Sequence, residues 1–182
     1  MTRIFLLGYM GAGKTTLGRA LADSLNLQFI DLDCYIEQRF RKSISDIFAE
    51  KGEEGFRDIE RRMLQETGEF ENVIISTGGG TPCFFDNVEY MNRQGTTVFL
   101  DVPEERLFIR LSIARSKRPL IKEKNDEELR MFITEQLAKR REHYSKAKHT
   151  YKADRLEDKR QIEESVNEFC RLFNITKDNT NL

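Results

Sequence analysis

The 182-residue chain lacks a surplus of either charge: 30 Lys and Arg stand against 31 Asp and Glu, a formal net charge of -1. Without a basic surplus there is no electrostatic footprint for a phosphate backbone, so nucleic acid is not an expected partner. Cysteine is scarce as well. Cys34, Cys83 and Cys170 are odd in number and widely spaced. That excludes a disulfide framework and a ligand-spaced zinc site, and the three read as free, buried thiols. No apolar run approaches the length of a bilayer span. The N-terminal residues lack the charged region and cleavage site of a secretory signal, so neither membrane insertion nor export is expected. No internal repeat is visible. What remains is a chain with 34% charged residues of mixed sign, long enough to bury a real core. One cytoplasmic domain is expected over residues 1–174, with a polar C-terminal tail over 175–182 that frays. No apolar stripe marks an interface, and a monomer is expected.

Against these absences stands one segment, Gly8-Tyr9-Met10-Gly11-Ala12-Gly13-Lys14-Thr15. It fills every fixed position of the phosphate-loop pattern G-x-x-x-x-G-K-[ST]. The apolar run at 4–7 before it reads as a buried strand. Leu17, Leu21 and Leu25 after it recur at helical spacing. Glycine lets such a loop turn tightly enough to aim several backbone N–H groups at phosphate oxygens. The helix N-terminus adds partial positive charge. Lys14 is placed to reach the β- and γ-phosphates, and the Thr15 hydroxyl to ligate Mg²⁺.

Further along, short apolar runs alternate with amphipathic ones. Strands are expected at 4–7, 29–31, 73–76, 97–100 and, weakly, 150–152. Helices are expected at 14–25, 34–40, 45–51, 53–66, 86–93, 104–112, 126–144 and 158–173. This alternation indicates an α/β fold, a parallel sheet with helices on both faces in three layers. Two stretches interrupt it. Residues 112–125 carry Arg115, Lys117, Arg118, Lys122 and Lys124, a basic loop able to act as a lid over a nucleotide. Residues 36–66 read as helices set aside from the sheet, able to cap a substrate pocket.

Ligands in such folds bind at the carboxyl ends of the strands. After the second strand come Asp31 and Asp33, which extended backbone would place on one side. One carboxylate can serve Mg²⁺ through water and the other can accept a proton from an attacking hydroxyl; Asp33 also suits a helix N-cap. After the third strand come Gly78, Gly79 and Gly80, as expected where backbone must approach a ligand closely. Arg57 and Glu60 lie at i,i+3, and Glu60 can orient Arg57 toward an anionic group, whose carboxylate the planar guanidinium fork matches. Arg140 and Tyr144 lie at i,i+4. By spacing alone, both arginines suit a solvated helix face equally well.

Taken together, these features resemble the shikimate kinases, a family in the nucleoside-monophosphate-kinase-like branch of phosphate-loop proteins. The matches are the phosphate loop, Asp31-x-Asp33-x-x-Ile36-Glu37, Ser43-Ile44-x-x-Ile47-Phe48, Gly52-Glu53-x-x-Phe56-Arg57-x-x-Glu60, Gly78-Gly79-Gly80, Arg118-Pro119-Leu120 and Arg140-x-x-x-Tyr144. They run in family order over about the first 150 residues. The resemblance implies a five-stranded parallel sheet in the order 2-3-1-4-5, with substrate-binding helices over about 33–60 and a lid over about 112–125. It implies ATP-dependent phosphorylation of the 3-hydroxyl of shikimate, in the pathway to chorismate and the aromatic amino acids. Gly11, Ala12, Gly13, Lys14, Thr15, Thr16, Arg110 and Arg118 would contact ATP. Asp33, Arg57, Gly79 and Arg140 would bind shikimate, the two arginines through its carboxylate. Lys14, Asp33 and Arg118 would be catalytic, and Thr15 and Asp31 would serve Mg²⁺. Ile44, Phe48 and Phe56 would wall the pocket. Arg41 departs from the family, which commonly has glycine there, and Pro82 directly follows the glycine turn.

Two other readings keep the phosphate loop but change the purpose. The acceptor could instead be gluconate, a similar polyol acid, or a nucleoside monophosphate. Alternatively, the chain could be a nucleotide-dependent switch, although the guanine-specifying pattern Asn-Lys-x-Asp is absent from it.

Overall fold

The computed structural model describes residues 2–175. Five strands form one parallel sheet: β1 (Arg3–Leu7), β2 (Gln28–Asp31), β3 (Val73–Ser76), β4 (Thr96–Asp101) and β5 (His149–Lys152). Their spatial order is β2-β3-β1-β4-β5. Ile4 pairs with Ile74 on one side and Thr96 on the other, so β1 is the central strand. Its apolar run is continuous because both faces of a parallel sheet are covered. Ile4 and Leu6 point into one core with α1 (Lys14–Leu25), α5 (Glu104–Ile113), α6 (Asp126–Tyr144) and α7 (Lys159–Leu172). Phe5 and Leu7 point into the other, with α2 (Leu32–Phe40), α3 (Ile44–Gly68) and α4 (Asn87–Gln94).

Helix starts follow local chemistry. Ser43 caps α3 by accepting from Asp46 N at 3.1 Å. Asn125 and Glu128 close a reciprocal capping box on α6 at 2.9 and 2.8 Å. The expected break between 45–51 and 53–66 is present as a kink in α3 at Gly52, whose φ of 68° and ψ of -179° suit glycine. Arg41 ends α2 in the left-handed region, φ 53° and ψ 38°. Glycine has no steric penalty in that conformation, whereas arginine does.

Three expectations change. Asp31, not Asp33, caps α2; its carboxylate accepts from Cys34 N at 3.4 Å. The chain turns helical at Leu32, so Asp31 and Asp33 are not neighbours along extended backbone. Cys34 is exposed, while Cys83 and Cys170 are half-buried, and all three are free thiols. Ile175, the first residue of the expected tail, donates its N–H to Cys170 O at 3.0 Å and packs on the core. The rest of that tail, 176–182, lies outside the described residues. No described helix is long and apolar enough to cross a membrane.

Candidate active site

The phosphate loop leaves β1 at its carboxyl end. Gly8, Gly11 and Gly13 hold φ of 143°, 80° and 94°. A Cβ at Gly8 would sit 2.9 Å from the Leu100 carbonyl oxygen, so the loop lies against β4 as only a glycine allows. Gly13 is the N-cap of α1, whose first helical residue is Lys14. The buried Lys14 Nζ donates to the Gly8 and Tyr9 carbonyls at 2.8 and 3.0 Å. Burial pulls its pKa down to about 8, against the opposing charge of Asp33. Thr15 Oγ1 donates to Asp31 Oδ2 at 2.8 Å. The two residues expected to serve Mg²⁺ are therefore in contact at the loop.

A cavity of about 500 Å³ opens here, lined by the loop together with Asp31, Asp33, Arg110 and Arg118. Gly11, Gly13, Lys14, Thr15 and Thr16 all line it, whereas Ala12 is buried beneath. Arg110 is engaged with the opposite wall. It donates to the Ala153 carbonyl at 3.1 Å and to Glu157 at 2.9 Å, and lies 3.3 Å from the Gly11 carbonyl. It thus ties the segment after β5 to the phosphate loop. Leu156 and Glu157 from that segment also line the cavity. Their signal was available, since they follow the carboxyl end of a strand. The weakness of the β5 pattern hid it.

A second cavity of about 230 Å³ adjoins the first, walled by Ile44, Phe48 and Phe56 with Arg57, Glu60 and Arg140. Met10, Asp33, Gly78, Gly79 and Arg118 line both. Asp33 thus stands between a phosphate-binding loop and a pocket carrying two arginines. Its pKa is pushed up to about 6, by burial first and then by the charges of Glu60 and Asp31. Burial likewise lowers the pKa of Arg118.

The arginines are held, not solvated. Arg57 Nη1 donates to Glu60 at 2.9 Å, and the guanidinium lies 4.0 Å from the centroid of Phe84. Its Nε is buried with no hydrogen-bond partner among the described residues. The i,i+3 contact between Arg57 and Glu60 allowed by their spacing is thus present. Arg140 donates to Gln136 at 2.9 Å and lies 5.6 Å from the centroid of Tyr9. One turn on, the buried Tyr144 hydroxyl donates to the Gly79 carbonyl at 2.6 Å. The glycines of this turn are tightly enclosed. A Cβ at Gly78 would lie 2.9 Å from Asp33 Oδ1, and one at Gly80 would lie 2.8 Å from Arg57 Nη2. Pro82 is accommodated in a single 3₁₀ turn, Thr81–Cys83, that follows them. The basic segment opens with another 3₁₀ turn, Arg115–Lys117, and is anchored by the buried Ile121. An ion pair joins Arg115 to Asp126.

A phosphate loop on the central strand of a 2-3-1-4-5 parallel sheet, opening onto an adjoining arginine-lined pocket, is the architecture of a phosphate-loop kinase. The family model for shikimate kinase matches residues 10–171. A shikimate kinase from Phocaeicola vulgatus is 62% identical over 174 residues, covering 96% of this chain and 99% of the relative. The crystal structure of shikimate kinase from Bacteroides thetaiotaomicron superposes with a TM-score of 0.93 at 56% identity, covering 96% of this chain and 99% of the other. The enzyme from Acinetobacter baumannii, solved in complex with shikimate, gives a TM-score of 0.81 at 31% identity, covering 96% and 94%. The chain belongs to the shikimate kinase family.

Proposed function

We propose that the chain transfers the γ-phosphoryl group of ATP to the 3-hydroxyl of shikimate, giving shikimate 3-phosphate and ADP. The observation that carries this reading is the shared wall. Asp33 and Arg118 line the phosphate-loop cavity and the arginine-lined pocket alike. A phosphoryl group and an acceptor hydroxyl can meet there without either substrate crossing the protein.

The loop from Gly11 to Thr16 holds the phosphates, with Lys14 and Arg118 facing the charge that spreads over the transferring group. Arg57 and Arg140 hold the acceptor carboxylate, and Gly79 brings bare backbone against the ring. Asp33 orients the 3-hydroxyl and accepts its proton. A pKa of about 6 leaves it ionised at neutral pH yet basic enough for that task. Arg110, with Leu156 and Glu157, shapes the wall on which the nucleotide base rests.

Mg²⁺ fits the donor set. The Thr15 hydroxyl would ligate the ion, and Asp31, in contact with it at 2.8 Å, would hold it through water beside the phosphate oxygens. The described residues contain no cluster of three or more metal-binding side chains, and none is needed for such an ion. When bound, it neutralises charge on the phosphate oxygens.

The same reading takes residues 1–174 as one cytoplasmic, monomeric domain without a nucleic-acid partner. Residues 33–60 cap the acceptor, and residues 112–125 close over the nucleotide to exclude water. ADP release from MgATP tests the reaction, with shikimate, gluconate and nucleoside monophosphates offered in turn. Release that depends on shikimate supports it. Release that depends on another acceptor, or on none, overturns the acceptor assignment.

A further inference from the structure

Glu60 is a carboxylate with 1% of its surface exposed. A charge so enclosed persists only when hydrogen-bonded on both oxygens. One bond is the contact with Arg57, at 2.9 Å from Oε2. The other comes from Thr81, whose hydroxyl donates to Oε1 at 2.5 Å. Thr81 is fully buried, where valine would have the same shape and no polar atom to satisfy. The hydroxyl therefore has a task, and its one hydrogen is committed to Glu60.

Thr81 is itself fixed by its surroundings. Its carbonyl accepts from the buried Asn87 Nδ2 at 2.9 Å, and its backbone N–H donates to Gly78 O at 3.2 Å. A Cβ on Gly78 would stand 3.0 Å from both Thr81 Oγ1 and Glu60 Oε1, so the glycine turn makes room for this contact. Three residues on, Phe84 lays its ring against the Arg57 guanidinium, with 4.0 Å from Cζ to centroid. One short segment thus grips Arg57 twice, through the ring of Phe84 and through the Thr81–Glu60 pair.

We propose that Thr81 is a positioning residue for the acceptor: its hydroxyl fixes Glu60, and through Glu60 the plane of the Arg57 guanidinium. A planar fork binds a carboxylate in two parallel hydrogen bonds only when its orientation is set. Thr81 thereby governs acceptor affinity from outside the pocket, while the phosphate loop is untouched. The inference rests on Arg57 being the group that holds the acceptor carboxylate.

The test is steady-state kinetics with ATP and shikimate varied separately, on Thr81→Val, Thr81→Ser and Arg57→Ala. Thr81→Val is expected to raise KM for shikimate about tenfold, with kcat and KM for ATP within about twofold of the parent. Thr81→Ser, which keeps the hydroxyl, is expected to recover the parent value. Should Thr81→Val fail to fold, Thr81→Ala paired with Thr81→Ser carries the same comparison. In a Glu60→Gln background, Thr81→Val is expected to add little further loss. A parent-like KM for shikimate in Thr81→Val, or a serine variant as impaired as the valine one, overturns the proposal. If Arg57→Ala also leaves that KM unchanged, the carboxylate clamp itself fails. If only Thr81→Val does, the clamp survives and the positioning role is lost.

Discussion

The phosphate loop is built from one stretch, 8–16, whereas the arginine-lined pocket beside it draws its polar groups from five. Asp33 comes from α2, Arg57 and Glu60 from α3, Gly79 from the turn after β3, Arg118 from the basic segment and Arg140 from α6. The first site is made chiefly of backbone at glycine φ values, with one lysine and two threonines. The second is made of side chains whose aim is set by other side chains. A backbone-built site is fixed by its own sequence and tolerates change elsewhere. A side-chain-built site depends on every element that carries a member, so its affinity can be altered from a distance.

Substitution at the point where the two sites join gives the largest expected effect. Asp33→Asn should lower kcat about a hundredfold or more and leave ATP affinity near the parent value. It should also stabilise the protein. The folded state holds the Asp33 proton up to about pH 6, against 3.8 for the ordinary carboxyl. Stability from this group is therefore highest below about pH 4 and declines as pH rises through 6. Removing the charge should add about 3 kcal/mol at pH 7.5, seen as a Tm higher by several degrees. A variant with normal turnover, or with a lower Tm, would remove the buried base from this account. The parent's kcat/KM should fall as pH drops below about 6, and its pH profile checks that directly.

Arg57→Lys comes next, and acts on one cavity only. The charge is kept but the fork is lost, so KM for shikimate should rise about 10- to 100-fold while KM for ATP stays level. Equal increases in both constants would erase the distinction between the sites. The reciprocal change is Gly13→Ala. Gly13 has a φ of 94°, and an added Cβ would run into Leu156. KM for ATP should rise about tenfold with acceptor affinity unchanged. The smallest effect lies outside both sites. Arg41→Gly should stabilise the fold by about 0.5–1 kcal/mol, since Arg41 occupies φ 53° at the end of α2. Thermal denaturation reads this, and an unchanged or lower Tm would show that the arginine side chain offsets its backbone cost.

The same division governs what could be read in advance. The phosphate loop, the strands beside it and the α3 break at Gly52 were legible because each is decided by neighbours in sequence: glycine dihedrals, apolar periodicity, capping. The contact of Thr15 with Asp31 and the 3.4 Å cap on Cys34 N were not. Period-2 reasoning carried the chain two residues too far into extended backbone and assigned the cap to Asp33. Leu156 and Glu157 were missed because β5 is short, with Tyr151 its one buried residue. Cys34 was misjudged because the burial of a lone cysteine depends on which helix face the packing leaves open.

By itself, the sequence determined the sheet-and-helix order, the phosphate loop and the residue types an acceptor site would need, since these rest on local dihedrals, periodicity and side-chain chemistry. Only the tertiary structure decided that Arg57 and Arg140 are half-buried and line one cavity instead of a solvated helix face, and that Glu60 and Thr81 stand behind Arg57. It also decided that Asp33 sits where burial and the carboxylates of Glu60, Asp31 and Glu37 raise its pKa. Burial and electrostatic coupling depend on distances between segments far apart in the chain, and those distances exist only once the two cores have packed against the sheet.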